Sequence, residues 1–240
     1  MQLSGKTALV TGGTDGIGAE LIRQLRAKGV TVITQGRNAK RVAATRADGF
    51  EVIAADLSMP DGVKTLIEAV AGRTIDILIN NAGAGVDHDF REAAPDPFAA
   101  DNTIFLNLDA PIHLICALMP MLKSRPEAMI VNVTSGLAIA PRGGGPVYCA
   151  TKAGLRSYTQ ALRAQLRGTK VHVLEALPPV VETKMTAGRG SRKMPAAECA
   201  RQFVTAIERN ADEANVGMVK LLQVVHSISP ALARRIMLKF

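Results

Sequence analysis

Tyr148 and Lys152 stand four residues apart, with Ser135 a short way upstream. On a helix, residues four apart share a face. A lysine ammonium beside a phenol favours the phenolate and lowers a pKa that is ordinarily about 10. Such a tyrosine becomes usable as a proton donor or acceptor near neutrality. Taken alone, the pair reads better as an ordinary surface tyrosine and lysine, because the spacing is common. Near the start of the chain, Thr11-Gly-Gly-Thr-Asp-Gly-Ile-Gly18 follows a run of apolar residues and precedes an amphipathic stretch. Glycine tolerates positive φ and lets backbone approach a ligand closely. The exposed N–H groups and positive dipole of a helix that starts there suit a pyrophosphate. A strand-to-helix turn that needs glycine only for its geometry is the competing reading. A third cluster, Asn80-Asn-Ala-Gly83, is either a polar turn closed by glycine or a platform of small residues beside a cofactor ribose.

The elements that must position these residues are readable from periodicity. Near-continuous apolar runs at 7–11, 30–34, 50–54, 75–80, 129–134 and 170–176 predict strands buried on both faces. Between them, helical spacing predicts helices at 17–28, 62–70, 104–122 and 150–166. Strands and helices alternating through short links imply parallel pairing by right-handed crossovers. The expected fold is α/β, a doubly wound parallel sheet in one domain spanning 1–240. Such sheets bind ligands beyond the carboxyl ends of their strands, and each of the three clusters directly follows a strand.

Composition narrows the field further. The chain has 240 residues, 48% of them hydrophobic, enough for a large core and too apolar for general disorder. Aromatic residues make up 3% and tryptophan is absent, so a nucleic-acid binder built on aromatic stacking is not expected. Cys116, Cys149 and Cys199 are odd in number and lack a CxxC pair, which fits a reducing cytoplasm better than a disulfide framework. The histidines His88, His113, His172 and His226 show no metal-ligand spacing, and no metal site is expected. The first residues lack a signal-peptide pattern. Asn107, Asp109 and His113 interrupt the best apolar run, so no transmembrane helix is expected. A net charge of +8 suits anionic ligands, or is simply a solvated basic surface.

Taken together and in this order, the clusters resemble the short-chain dehydrogenases/reductases, over about residues 3–183. TGGTDGIG matches the family's cofactor motif, NNAG its fourth-strand motif, and Ser135 with Tyr148 and Lys152 its catalytic serine and YxxxK; Asn107 in Phe-Leu-Asn-Leu matches its catalytic asparagine. The resemblance implies a Rossmann fold and hydride transfer between a nicotinamide cofactor and a carbonyl or alcohol. It implies that Tyr148 exchanges the proton, Lys152 lowers its pKa and binds the nicotinamide ribose, Ser135 holds the substrate oxygen, and Asn107 fixes a water in the relay. For the cofactor it implies Gly12, Thr14, Asp15, Gly16, Ile17, Gly18, Asp56, Leu57, Asn81, Ala82, Gly83, Tyr148, Lys152, Val181 and Thr183. At the end of the second strand, where NAD-preferring relatives carry an acid, this chain has Gly36 followed by Arg37, which favours NADP(H) over NAD(H). Asp15 opposes that preference, because NADP-using relatives often carry a base there. The alternative to an enzyme is an NADP-binding sensor or scaffold without turnover, which the intact Asn107, Ser135, Tyr148 and Lys152 disfavour.

Two departures stand out. The family's Pro-Gly after the sixth strand is Pro178-Pro179 here, and the closing short strand with Asp-Gly-Gly is expected to be missing. The sequence is similar to a bacterial branch whose substrates are mostly unassigned. Residues 184–195 match the family's substrate loop, with Arg189, Arg192 and Lys193 as a basic lid or as a solvated loop. Residues 218–240 read as a helical extension with three readings: packing on its own domain or a sister subunit, a basic amphipathic contact with an acidic membrane surface, or a lid. By resemblance the chain is expected to form a homodimer or homotetramer through the helices at 101–124 and around Tyr148.

Overall fold

A computed structural model describes residues 1–85, 87, 89–91, 96–188 and 193–239. Seven strands form one sheet in the order β3-β2-β1-β4-β5-β6-β7. They are β1 (Thr7–Val10), β2 (Thr31–Gly36), β3 (Glu51–Ala54), β4 (Ile77–Asn80), β5 (Ala128–Val133), β6 (Val171–Leu177) and β7 (Glu213–Asn215). Every pairing is parallel. The order runs one way from β1 to β3 and the other way from β4 to β7. The sheet therefore has its switch point between β1 and β4, where a crevice must open beyond the strand ends.

Helices cover both faces. On one side α1 (Gly16–Ala27), α2 (Ala39–Ala47) and α7 (Ala196–Glu208) bring Leu21, Leu25, Val42, Phe203 and Ile207 onto Val10, Val32, Ile79 and Val131. On the other, α3 (Pro60–Ala69), α5 (Ala110–Ser124) and α6 (Pro146–Gln165) bring Leu66, Leu114, Leu118 and Leu162 onto Leu9, Ile33, Leu78 and Ile130. All six residues of β5 are buried, the pattern that two-sided cover demands. The doubly wound single sheet is the expected architecture.

Several elements differ from expectation, each for a local reason. Helices α2 and α7 carry no prediction; α2 is short and polar, with only Val42 and Thr45 buried. The expected helix at 104–122 begins earlier, as α4 (Pro97–Ile104), and passes through a wider π-helical turn (Phe105–Asp109) before α5. The stretch Pro97–Ser124 has the length and mean hydropathy, 1.6, of a membrane-crossing helix, despite its interrupting polar residues. In the fold it is a layer helix whose Leu106, Ala110, Leu114, Leu118 and Leu122 lie against the sheet. Helix α6 begins at Pro146 rather than 150, which puts Tyr148 in its first turn; proline at that position forgoes an N–H that has no helical partner anyway. A closing strand is present after all: β7 has only three residues and joins β6 through Glu175 N–H to Asp212 O and Val216 N–H to Leu177 O. Too short to show a period, it is made by tertiary pairing. The predicted extension is α8 (Val219–Ile228) and α9 (Pro230–Met237).

Candidate active site

The glycine turn is built by close packing. Gly12 has φ +69°, and a Cβ there would stand 2.9 Å from Ala82 Cα. At Gly18 a Cβ would stand 2.2 Å from Gly12 O, so any side chain would break the turn where it enters α1. Asp15 caps the helix through its Oδ1, which accepts from Gly16 N–H at 3.0 Å. Gln35, a residue that motif matching passes over, is buried and locks the turn to β2 and β3. Its Oε1 accepts from Gly12 N–H at 3.1 Å and its Nε2 donates to Ala55 O at 2.5 Å. The signal available in sequence was a polar residue in an otherwise apolar strand.

Thr11 ties this turn to the one after β4. Its hydroxyl oxygen accepts from Asn81 N–H and Ala82 N–H, each at 3.0 Å, and Asn81 Nδ2 donates to Thr11 O at 2.9 Å. Gly83 leaves room next to Lys152 and Asn107: a Cβ there would be 3.6 Å from Lys152 Nζ and 3.1 Å from Asn107 Oδ1. Across the crevice, Thr183 reaches Gly16 from the segment after β6, its methyl carbon 3.0 Å from where a Gly16 Cβ would stand. The Pro178-Pro179 turn keeps one ordinary bond, Gly136 N–H to Pro178 O at 3.1 Å.

Lys152 is fully enclosed. Its Nζ donates to Val133 O at 2.8 Å and stands 5.8 Å from the Tyr148 ring centre. Burial pulls its pKa down from 10.5 to about 8. Ser135 leaves β5 in extended backbone and its Oγ accepts from Leu137 N–H at 3.1 Å, which fixes the hydroxyl at the mouth of the crevice. Asn107 sits in the π-helical turn, fully buried. Its amide clamps the loop after β4, accepting from Ala84 N–H at 3.0 Å and donating to Ala84 O at 2.8 Å and to Thr151 Oγ1 at 3.1 Å. The side chain is therefore committed to protein partners and lies behind the crevice, outside its lining.

All the other expected residues line one cleft of about 530 Å³. Gly12, Thr14, Asp15, Gly16, Ile17 and Gly18 form one wall; Arg37, Asp56 and Leu57 stand at one end. Asn81, Ala82, Gly83, Ser135, Tyr148, Lys152, Val181 and Thr183 complete it. At the β2 end, Gly36 packs on Thr14, and a Cβ would lie 2.5 Å from Thr14 Cγ2. Arg41, which carried no prediction, lines the cleft with Arg37. Arg41 Nη1 is 2.7 Å from Asp15 Oδ2, and Arg37 Nη1 is 3.3 Å from Asp56 Oδ2. Burial works against ionised Asp56, but the Ser58 N–H and hydroxyl and the Arg37 guanidinium outweigh it and hold the carboxyl below its ordinary pKa. Arg189 and Arg192 of the expected basic loop lie outside the described residues. The described residues of that loop include a single turn of 3₁₀ helix at Lys184–Thr186, and Met194 bridges to Val181.

No group of three or more potential metal ligands gathers among the described residues. The cleft is shaped for a nucleotide instead. It offers a backbone cradle that any Cβ would fill, a helix N-terminus, two guanidiniums at one end and a buried lysine at the other.

A switch-point cleft lined in this way defines a nucleotide-binding doubly wound oxidoreductase. Residues 6–193 match the family model of the short chain dehydrogenases. The chain is 40% identical over 187 residues to the uncharacterized oxidoreductase DltE of Bacillus subtilis (strain 168), covering 76% of this chain and 74% of that protein. It is 33% identical over 201 residues to serine 3-dehydrogenase of Agrobacterium fabrum, covering 80% and 78%. The structure superposes on a short chain dehydrogenase from Burkholderia cenocepacia J2315 in complex with NADP with a TM-score of 0.88, at 27% identity and 99% coverage of both chains. The chain belongs to the short-chain dehydrogenase family, a family of oxidoreductases.

Proposed function

We propose that this protein is an NADP(H)-dependent oxidoreductase that interconverts a carbonyl and an alcohol. The observation that carries the reading is the assembly, in one cleft, of the glycine cradle, the Asn81–Gly83 turn, Ser135, Tyr148 and Lys152. When bound, the nicotinamide supplies or takes the hydride. Ser135 holds the substrate oxygen by a hydrogen bond from its hydroxyl, and Tyr148 gives that oxygen a proton during reduction or removes one during oxidation. Lys152, held near pKa 8, is available as a proton carrier beside the phenol and as a donor to a ribose hydroxyl. Asn107 is a positioning residue through the clamp of its side-chain amide on Ala84.

Preference for NADP(H) rests on Arg37, Arg41 and Gly36. A guanidinium pairs with phosphate through a planar fork, and the close contact with Thr14 leaves no room at Gly36 for the acid that would hold ribose hydroxyls. Asp15, which opposed the preference in sequence, is paired with Arg41. Both ion pairs at this end are solvent-exposed and worth at most about 1 kcal/mol each, so a phosphate displaces the acids at small cost. The free thiols of Cys116, Cys149 and Cys199 favour a cytoplasmic setting.

Titrating the protein with NADPH and NADH while following its melting temperature tests the cofactor assignment, because a ligand bound only by the folded state must raise stability. NADPH should stabilise selectively, and R37A/R41A should weaken NADPH by about 10-fold or more while sparing NADH. Equal responses in the parent protein would refute the phosphate assignment. Tyr148→Phe should keep the NADPH response and lose about 10²–10⁴ in kcat/KM on carbonyl substrates. Unchanged turnover would rule out the proton role; absence of turnover in any protein, with cofactor bound, would favour the sensor reading.

A further inference from the structure

The carboxyl-terminal helices leave an apolar surface that none of the described residues covers. Seven of the thirteen exposed large apolar side chains among the described residues fall between 218 and 238. On α8, Leu221, Val224 and Ile228 recur at steps of three and four, along one side of the helix, and Ile228 is 81% exposed. Met218 precedes them at 69%, and Leu232 and Ile236 stand four apart on α9, followed by Leu238. The opposite side of α8 is seated: Val219 is buried, with its methyl 3.0 Å from where a Gly136 Cβ would stand. A surface seldom leaves so many large apolar side chains exposed on two successive helices without a partner.

Charge identifies the partner. From residue 214 to the end there is no Asp or Glu, while Lys220, Arg234, Arg235 and Lys239 supply four cations. All four are exposed. A second copy of the chain is a poor occupant, because a two-fold contact lays a patch on itself and would bring these cations together with no acid on either helix to offset them. A surface that is both apolar and anionic satisfies both properties at once. Apolar stripes edged by Lys and Arg are the pattern of helices that lie in the headgroup region of a negatively charged bilayer.

We propose that α8 and α9 form a docking surface for an anionic lipid bilayer. The apolar stripe enters the boundary between headgroups and acyl chains, and Lys220, Arg234, Arg235 and Lys239 face the lipid phosphates. Docking would place the cleft close to the membrane. Gly136, against which α8 packs, adjoins Ser135, and Leu238 O comes within 3.4 Å of where a Gly143 Cβ would stand, on the loop leading to Tyr148. Carbonyl substrates carried in or on the lipid are then the natural class; that extension rests on the oxidoreductase reading, whereas docking itself does not.

The test is co-sedimentation of the full chain with vesicles of phosphatidylcholine alone and of phosphatidylcholine mixed with phosphatidylglycerol. Binding to the mixed vesicles only, reversed by high salt, is expected. R234A/R235A/K239A and L221S/V224S/I228S should each lose most of the bound fraction, while keeping the parental melting temperature and oligomeric mass. Protein left in solution with both vesicle types overturns the proposal, as does binding that survives both triple substitutions. A fall in oligomeric mass in the apolar variant also overturns it, by assigning the face to a second copy. These readouts need no turnover, so they stand or fall independently of the catalytic assignment.

Discussion

Lys152 concentrates the conflict between stability and activity at this site. Enclosing an ammonium costs solvation, and the Val133 carbonyl returns only part of it, so the pKa falls from 10.5 to about 8. Between those values the unfolded chain binds more protons at this residue than the folded one, so stability rises with pH across that window and the burden is largest below about 8. A displacement of that size corresponds to about 3 kcal/mol. Lys152→Met keeps the volume and removes the charge. Without cofactor it should melt at or above the parental temperature at neutral pH, lose that advantage as pH rises through the window, and have no useful turnover. Denaturant melts across pH, paired with a rate assay, check this; a variant less stable than the parent at every pH would mean that the Val133 hydrogen bond outweighs desolvation. Burial also shifts two of the thiols. Cys149 beside Tyr148 is raised by burial, and Cys199 is pushed up to about 12, so both stay as unreactive thiols at neutral pH.

At the scale of elements, the site depends on how α6 is tied to the sheet. Asn80 Nδ2 donates to Asn132 Oδ1, and Asn132 Nδ2 to Thr159 Oγ1, both at 2.9 Å, a polar chain from β4 through β5 to α6. One turn earlier on the same helix, Arg156 reaches Glu175 on β6 at 2.7 Å and Glu213 on β7 at 3.3 Å. Thr134, next to Ser135, donates to Glu175 Oε1 at 2.7 Å. Burial nevertheless raises the Glu175 pKa, against the pull of Thr134 and Arg156. Removing the arginine leaves a buried carboxylate without its cation, which typically costs about 3–5 kcal/mol. Arg156→Ala should therefore be strongly destabilising, and Glu213→Ala mild, because that partner is partly exposed. Glu175 favours folding only while protonated, and that contribution fades as pH rises from the ordinary carboxyl range through the raised value. The Arg156→Ala deficit should accordingly open as pH climbs out of that range. Chemical denaturation at acidic and neutral pH measures it, and a deficit independent of pH would place the cost outside Glu175.

At the scale of the molecule, two of the exposed surfaces among the described residues are suited to assembly. One is the outer side of α4 and α5, where Phe98 is 75% exposed and Cys116 is also exposed. The other is the pair α8 and α9, which carries the cations. The two surfaces lie on separate elements, so association through one is compatible with lipid docking through the other. Light scattering should give a dimer or tetramer of the 25.4 kDa chain, unchanged in the lipid-face variants. A monomer would withdraw α4 and α5 as an interface.

The amino-acid sequence by itself determined the sheet class, the positions of the buried strands and the glycine turn, the Asn81–Gly83 turn and the Ser135, Tyr148 and Lys152 group that line the cleft. Each of these is a local pattern: an apolar run, a glycine turn, a YxxxK step. Tertiary structure alone decided the rest, because the causes are contacts between distant segments. Strand β7 exists only by pairing with β6, and its three residues carry no period of their own. Arg41 becomes part of the cleft by reaching from α2 to Asp15 in the glycine turn, a pairing between segments far apart in sequence. For Asn107 the sequence offered only a match to the family's asparagine; the π-helical turn that carries it and the clamp its amide makes on Ala84 came from the fold. The exposure of α8 and α9 was likewise undecided by an amphipathic pattern, which says that a helix has an apolar side and leaves to the fold which sides find cover.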